Sequence, residues 1–332
     1  MRVLVTGAAG FIGMSLSRQL LSRGDTVIGI DSINDYYDVR LKRDRLAELT
    51  RLGGDRFVFR QVDFADHAAL DEALSGLKFD RIVHLGAQAG VRYSIENPRA
   101  YVQSNLVGHL NLLEVARHAQ VEHMVYASSS SVYGGNTQMP FSVDDRVDHP
   151  LSLYAATKKA DELMSETYAH LYKLPLTGLR FFTVYGPWGR PDMAMWIFTK
   201  AIFENRPIAV FNHGEMQRDF TYIDDIVSGV MACLDNPPAD TGAAHAGGSR
   251  SPHAVYNIGN NRSEQLGYMI DLIEEACGKK AIRDLQPIQP GDVPATYADI
   301  GAIQRDLGFE PRTTIDVGVP RFVNWYRDYH RV

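Results

Sequence analysis

The sequence predicts an α/β protein, a doubly wound parallel sheet followed by a smaller, irregular α+β region. Three observations predict it. Short apolar runs alternate with longer amphipathic stretches up to about Phe182 of the 332 residues. A glycine-rich turn, "VLVTGAAGFIG", joins the first apolar run to the first amphipathic stretch. A carboxylate, Asp31, ends the second run, 18 residues beyond Gly13.

Strands are predicted over Val3–Thr6, Thr26–Ile30, Phe57–Gln61, Arg81–Leu85, His123–Ala127 and Leu176–Phe182. Their interiors are rich in Val, Ile, Leu and Phe, as fits strands covered on both faces. Helices are predicted over Ile12–Arg23, Ala68–Leu77, Pro98–Ala119 and Leu151–Tyr172. The third carries Val102, Leu106, Leu110, Leu113 and Ala116 at helical spacing; the fourth carries Leu153, Ala160, Leu163, Thr167 and Leu171. Beyond Phe182 the alternation stops, and "TGAAHAGGSRSPHA" (Thr241–Ala254) reads as a flexible excursion. The expected division is a nucleotide-binding domain over 1–182 and a mainly substrate-binding domain over 183–332, some of whose segments return to the first.

Composition narrows the class. A net charge of −6 excludes a general nucleic-acid binder, which needs a basic face. An anionic small ligand must then be met by local cations. No apolar run approaches the roughly 20 residues of a membrane helix. "MRVLVTGAAGFIG" moves directly into a motif without the charged and apolar regions of an export signal, so a cytoplasmic protein is expected. Two isolated cysteines, Cys233 and Cys277, read as reduced thiols in such a compartment. No metal is expected.

Gly7, Gly10 and Gly13 permit a tight turn, close approach of backbone N–H groups to a pyrophosphate, and close helix–strand packing. Their spacing is G-x-x-G-x-x-G, not the G-x-G-x-x-G usual for dinucleotide sites. Asp31 supplies the context: a carboxylate there accepts hydrogen bonds from the adenosine ribose and repels a 2′-phosphate. No arginine follows in "GIDSINDYYD", so NAD is favoured over NADP. Asp63 ends the third strand and suits either the adenine amino group or the N-cap of the next helix. Small residues in "HLGAQAG" (His84–Gly90) leave room for a flat cofactor. The fold expected is therefore of the Rossmann type.

Tyr154 and Lys158 stand at i, i+4 and share a helical face. A phenol with an ordinary pKa of about 10 is a poor base near neutrality. An adjacent ammonium and a cationic nicotinamide stabilise the phenolate and lower that value. The run "YASSSSVYGG" places Ser128, Ser129, Ser130 and Ser131 at the end of the fifth strand. Ligands of open α/β sheets bind beyond the carboxyl ends of strands, so these hydroxyls are expected in the site. Ser129 is expected to bond the same substrate oxygen as Tyr154.

With these residues in place, the chain resembles an extended short-chain dehydrogenase/reductase. "TGAAGFIG", "SSSSVYG", "YAATK", "LRFFTVYGP" and "RDFTYIDD" follow that family's order over nearly the whole chain. "GIDSINDYYDVRLKRDRL", "AGVRYSIENP" and "YGPWGRPDMA" are similar to the nucleotide-sugar 4-epimerases, in particular those acting on UDP-glucuronate. The resemblance implies an NAD-dependent isomerase that interconverts UDP-glucuronate and UDP-galacturonate through a transient 4-keto sugar. It implies that Gly7, Gly10, Gly13, Asp31, Asp63 and Lys158 bind NAD. Ser129, Tyr154 and Lys158 would be catalytic, with Asn105 their support. Arg218 would pair with the diphosphate of the UDP-sugar and Asp292 with the uridine ribose. A plain UDP-galactose 4-epimerase and a non-catalytic NAD-binding scaffold are the alternatives. Elimination chemistry is disfavoured, because Ser130 and Ser131 stand where related dehydratases carry Asp or Glu.

A 4-keto uronic acid is a β-keto acid and loses CO₂ when its carboxylate bond lies perpendicular to the ketone plane. Ser128, Ser130, Thr183 and Arg190 are expected to hold that carboxylate in an unreactive orientation. The two apolar helix stripes are expected to build a homodimer through an intersubunit four-helix bundle.

Overall fold

The computed structural model describes residues 1–289 and 291–332. The first half alternates strand and helix: β1 (Arg2–Thr6), α1 (Phe11–Arg23), β2 (Thr26–Asp31), α2 (Val39–Gly53), β3 (Phe57–Gln61), α3 (His67–Leu74) and β4 (Arg81–His84). Two short helical turns, α4 (Tyr93–Glu96) and α5 (Pro98–Tyr101), lead through a π-helical segment, Val102–Val107, into α6 (Gly108–Ala119). Then come β5 (His123–Ser129), α7 (Leu153–Tyr172), β6 (Leu176–Phe181) and β7 (Thr183–Tyr185). The remainder holds α8 (Ala194–Phe203), β8 (Pro207–Phe211), β9 (Gln217–Tyr222), α9 (Ile223–Asp235), β10 (His253–Ile258) and β11 (Ser263–Gln265). It closes with α10 (Leu266–Cys277), β12 (Ile282–Gln286), α11 (Gly301–Leu307) and α12 (Ile315–His330).

Seven strands form one parallel sheet in the order β10-β6-β5-β4-β1-β2-β3. The chain runs outward from β1 in one direction and from β4 in the other. The switch point therefore lies between β1 and β4, and the crevice beyond their carboxyl ends is where this topology binds ligands. Alternate residues of each strand feed opposite layers. Val3, Val5, Val27, Val83 and Val125 pack with Met14, Leu16 and Leu20 of α1. Leu4, Ile28, Ile82 and Met124 pack with Leu112, Leu113 and Ala116 of α6.

The structure corrects several expectations. Helix α2 was not anticipated; its sequence is strongly polar, yet Leu41, Lys42, Arg45 and Leu49 are buried along one face. The 241–254 excursion ends earlier than expected, because His253 and Ala254 belong to β10, the seventh strand of the main sheet. His253 is buried and bonded to Tyr126 and Glu166, which the glycine-rich surroundings conceal. Leu113 and Ala116, read as part of an intersubunit stripe, face the protein's own sheet. The helical region beyond Phe182 is also far more regular than its Pro and Gly content suggests. Both cysteines are free and buried.

One ion pair ties the sheet to α7. Arg180 on β6 donates from Nε to Glu162 Oε1 at 2.8 Å and from Nη2 to Oε2 at 3.0 Å. The same guanidinium bonds the Tyr133 hydroxyl, which donates to Asn257 on β10. Burial opposes the charge on Glu162, but the hydrogen bonds and charge of Arg180 hold its carboxyl down to about 2. A depressed carboxyl stabilises the fold above its unfolded pKa and loses that contribution as pH falls through the folded one. Glu162→Gln should lower stability at neutral pH by about 3–5 kcal/mol, since it strands a buried guanidinium. The deficit should shrink between pH 4.5 and about 2, where the parent protonates Glu162; urea unfolding across that range checks it.

Candidate active site

At the switch point the first turn is built by steric exclusion. Gly7 has φ +68°, and a Cβ there would lie 2.8 Å from the Gly86 nitrogen. A Cβ on Gly13 would lie 2.1 Å from the Gly7 carbonyl oxygen. Gly10 caps α1 without a side-chain hydrogen bond, so the helix presents unencumbered N–H groups to the cleft. This is a cradle for a pyrophosphate, with the positive end of a 13-residue helix aimed into it.

Asp31, at the end of β2, accepts from the backbone N–H of Ala9 at 3.2 Å and of Ile33 at 2.8 Å. Burial pushes its pKa up, opposed by the Ile33 bond and by the charge of Lys42. Lys42 was not anticipated as a site residue. It comes from α2, donates to the Asn34 carbonyl and side-chain oxygens at 2.7 Å, and lines the cleft. Arg45, one turn on, is fully buried and donates to the carbonyls of Ala9, Trp188 and Gly189. Cations therefore do stand near Asp31, delivered by the helix rather than by the loop. Asp63 is exposed at the cleft edge and accepts from Ala65 N; the N-cap of α3 is Asp66, which accepts from Ala69 N.

The same cleft, about 580 Å³, also takes in the ends of β5 and β6 and the start of α7. Ser152 caps α7 by accepting from Ala155 N, which sets Tyr154 and Lys158 in its first turns. Both line the cleft. Lys158 is buried and donates to Asp161 at 3.0 Å. Tyr101 meets the Tyr154 ring edge-on with centroids 5.9 Å apart. Asn105, on the π segment, accepts from Gln88 N and donates to Gln88 O and to Thr157 Oγ1. It thus pins the loop after β4 to the helix carrying Tyr154.

The four serines separate. Ser128 donates to Glu162 at 2.7 Å, so its proton points into the core; this hydroxyl braces Glu162 rather than offering a donor to a ligand. Ser129 accepts from Ser131 N and donates to Ser131 Oγ, both at 3.1 Å. Ser130 opens a 3₁₀ turn on the cleft wall. Across the cleft, Thr183 begins β7, and Arg190 is gripped through Nε and Nη2 by Asp192. The grip leaves Nη1 for another partner. Tyr36 donates to the same carboxylate.

At the far end Arg218 uses Nη1 on the carbonyls of Gln217 and Pro294. Asp219 is not its partner; that carboxylate is buried and accepts from Asn260 N, Ala298 N and Thr221. Asp292 accepts from Arg92 at 2.7 Å, a pairing that sequence reasoning missed, and Arg92 lies over the Phe211 ring. The cleft is lined by every residue expected in the site: Gly7, Gly10, Gly13, Asp31, Asp63, Ser128, Ser129, Ser130, Tyr154, Lys158, Thr183, Arg190, Arg218 and Asp292.

Known proteins resemble this chain in sequence and fold. Residues 4–322 match the family model described as GDP-mannose 4,6 dehydratase. The chain is 52% identical to Protein CapI of Staphylococcus aureus over the full length of both. It is 46% identical to a probable UDP-glucuronate 4-epimerase of Rhizobium meliloti (strain 1021), covering 100% of this chain and 98% of that one. Among solved structures, UDP-glucuronic acid 4-epimerase from Bacillus cereus, in complex with UDP-glucuronic acid and NAD, superposes with a TM-score of 0.85 at 31% identity, over 99% of this chain and 100% of that one. The family model over residues 4–322 and these full-length relatives show that the chain belongs to the GDP-mannose 4,6-dehydratase family, within the extended short-chain dehydrogenases/reductases.

Proposed function

We propose that the protein is an NAD-dependent UDP-glucuronate 4-epimerase, interconverting UDP-glucuronate and UDP-galacturonate. The observation that carries this reading is one cleft that joins the Gly7–Gly13 cradle to Tyr154 and to two arginines, Arg190 and Arg218. A protein of net charge −6 would meet the two anionic groups of this substrate, diphosphate and carboxylate, with local cations. The relatives named for this activity, and the Bacillus cereus enzyme bound to the nucleotide sugar and NAD, support it.

The cradle residues would hold the pyrophosphate of NAD, Asp31 and Lys42 the adenosine ribose, Asp63 the adenine edge, and Lys158 the nicotinamide ribose. Bound there, NAD would supply the reversible hydride acceptor for C4 of the sugar. Tyr154 takes the proton of the sugar 4-hydroxyl and later gives it back, while Ser129 orients that oxygen. Lys158 stabilises the phenolate. Arg218 neutralises the diphosphate, and Asp292 accepts from the uridine ribose once Arg92 releases it. Ser130, Thr183 and the free Nη1 of Arg190 hold the sugar carboxylate, with Asp192 fixing the guanidinium plane. Ser128 acts behind them, through Glu162.

The test is direct. Purified protein incubated with a panel of UDP-sugars, followed by NMR, should convert UDP-glucuronate to its 4-epimer. Tyr154→Phe should keep fold and cofactor yet lose more than about 100-fold in kcat, as general-base removal does. Preference for UDP-glucose in the parent would overturn the substrate assignment.

A second prediction concerns the carboxylate clamp. In Thr183→Ala or Arg190→Ala the 4-keto sugar should lose CO₂, release UDP-4-keto-pentose and leave reduced cofactor on the enzyme, read by its absorbance. Clean epimerisation by both variants would place the restraint elsewhere.

The third concerns assembly. Val102 (42% exposed), Leu110 (42%), Leu163 (58%) and Leu171 (60%) form an open apolar face on the π segment, α6 and α7. A copy of the same face covers it in a homodimer through a four-helix bundle. Leu163→Glu with Leu171→Glu should halve the mass seen by light scattering, and a monomeric parent would refute the dimer.

A further inference from the structure

We propose that Asp161, one helical turn beyond Lys158, sets the base strength of Tyr154 by tempering the Lys158 ammonium. The inference rests on Tyr154 being the base. Lys158 Nζ lies 3.0 Å from Asp161 Oδ2, with the two side chains 3% and 1% exposed. Screening by water is absent there, so the pair couples strongly. The other carboxylate oxygen, Oδ1, has no hydrogen-bond partner among the described residues. Among the described residues, Lys158 is the one cation that pairs with this carboxylate.

Two other charges reach this part of the site: Arg190, across the cleft, couples to Tyr154, and Glu162, next on α7, raises Asp161. Glu162 is itself paired with Arg180 of β6 and with Lys159. His109 of α6 and His84 of β4 stack on each other, and burial pushes both well below their ordinary values, so they are neutral. Tyr126 of β5 is pushed up by burial and stays protonated; its hydroxyl meets His253 of β10, which is paired with Glu166. Lys158 and Asp161 form a buried ion pair on α7, in the turns that follow Tyr154. Burial raises Asp161 to about 6 despite the charge of Lys158, so it is an anion at neutral pH.

The chemistry needs such a counterweight. A lone buried ammonium drives a neighbouring phenol toward permanent ionisation. An epimerase base must take the C4 proton in one half-reaction and surrender it in the next. Asp161 cancels part of the ammonium's pull and keeps the phenol near the pH at which both transfers are affordable. It is a positioning residue acting through Lys158 and touches no substrate.

The experiment uses the holoenzyme. The pH dependence of kcat with UDP-glucuronate, and the tyrosinate absorbance titration without substrate, are measured for the parent, Asp161→Asn, Asp161→Ser and Asp161→Glu. Tyr154→Phe serves as the blank that identifies the Tyr154 signal. The Asn and Ser variants share only the lost charge; both should move the acid limb of kcat and the Tyr154 titration down by about one unit. Asp161→Glu should restore the parental position. Limbs that stay, or that move up because Lys158 has swung away, overturn the proposal. The titration needs no substrate, so a wrong sugar assignment leaves it readable, and an active Tyr154→Phe refutes the base assignment itself.

Discussion

Everything at the centre of this protein depends on backbone touching backbone at Gly7, Gly13 and Gly86. The first turn folds back so that a single added methyl would collide with a main-chain atom at Gly7 and Gly13, and with the Phe64 ring at Gly86. That contact seats α1 against β1 and brings the end of β4 alongside. It is steric in origin, and its consequence is electrical. With no side chains between them, the helix terminus and the strand ends enclose a space lined by N–H groups. Helix α7, which carries Tyr154 and Lys158, is then attached to this rigid frame through Asn105, whose amide bonds both the loop after β4 and Thr157.

Much of this was legible in the sequence, and the residues show why. Of the six strands from β1 to β6, all but the edge strand β3 are buried on both faces, so their apolar runs stand out. Gly7 to Gly13, Asp31, Tyr154 and Lys158 sit at fixed offsets from those strands, and local spacing suffices to find them. The failures share a different cause. Helix α2 buries Lys42 and Arg45, which a hydrophobic pattern cannot count as core. Strand β10 hides behind a glycine-rich loop, and its His253 is held by partners 87 and 127 residues away. Arg92 meets Asp292 across 200 residues. Such pairings exist only after the chain has closed on itself.

The serine run shows how one short string divides its labour. Ser128 faces inward and feeds the Glu162–Arg180 pair, whereas Ser129 bonds to Ser131 at the mouth of the cleft. Alternation along β5 explains the split, since successive residues of a strand point to opposite faces. Only where the strand gives way to the 3₁₀ turn do neighbouring hydroxyls reach the same space. The buried ion pair behind them keeps β5, β6 and α7 in one register. The orientation of the site wall is thus a property of the core beneath it.

The π segment Val102–Val107 carries a consequence of its own. A regular α-helix advances 100° per residue, so an extra residue in one turn offsets the phase of all that precede it against all that follow. Here the offset lets Asn105 point into the site at 1% exposure while Val102 and Leu110, on either side of it, stay open to the outside. The helix works as a mechanical phase adjuster, with one setting for chemistry and another for the exterior. Removing a single residue from that turn would leave a good helix, yet rotate one of its two functions out of alignment with the other.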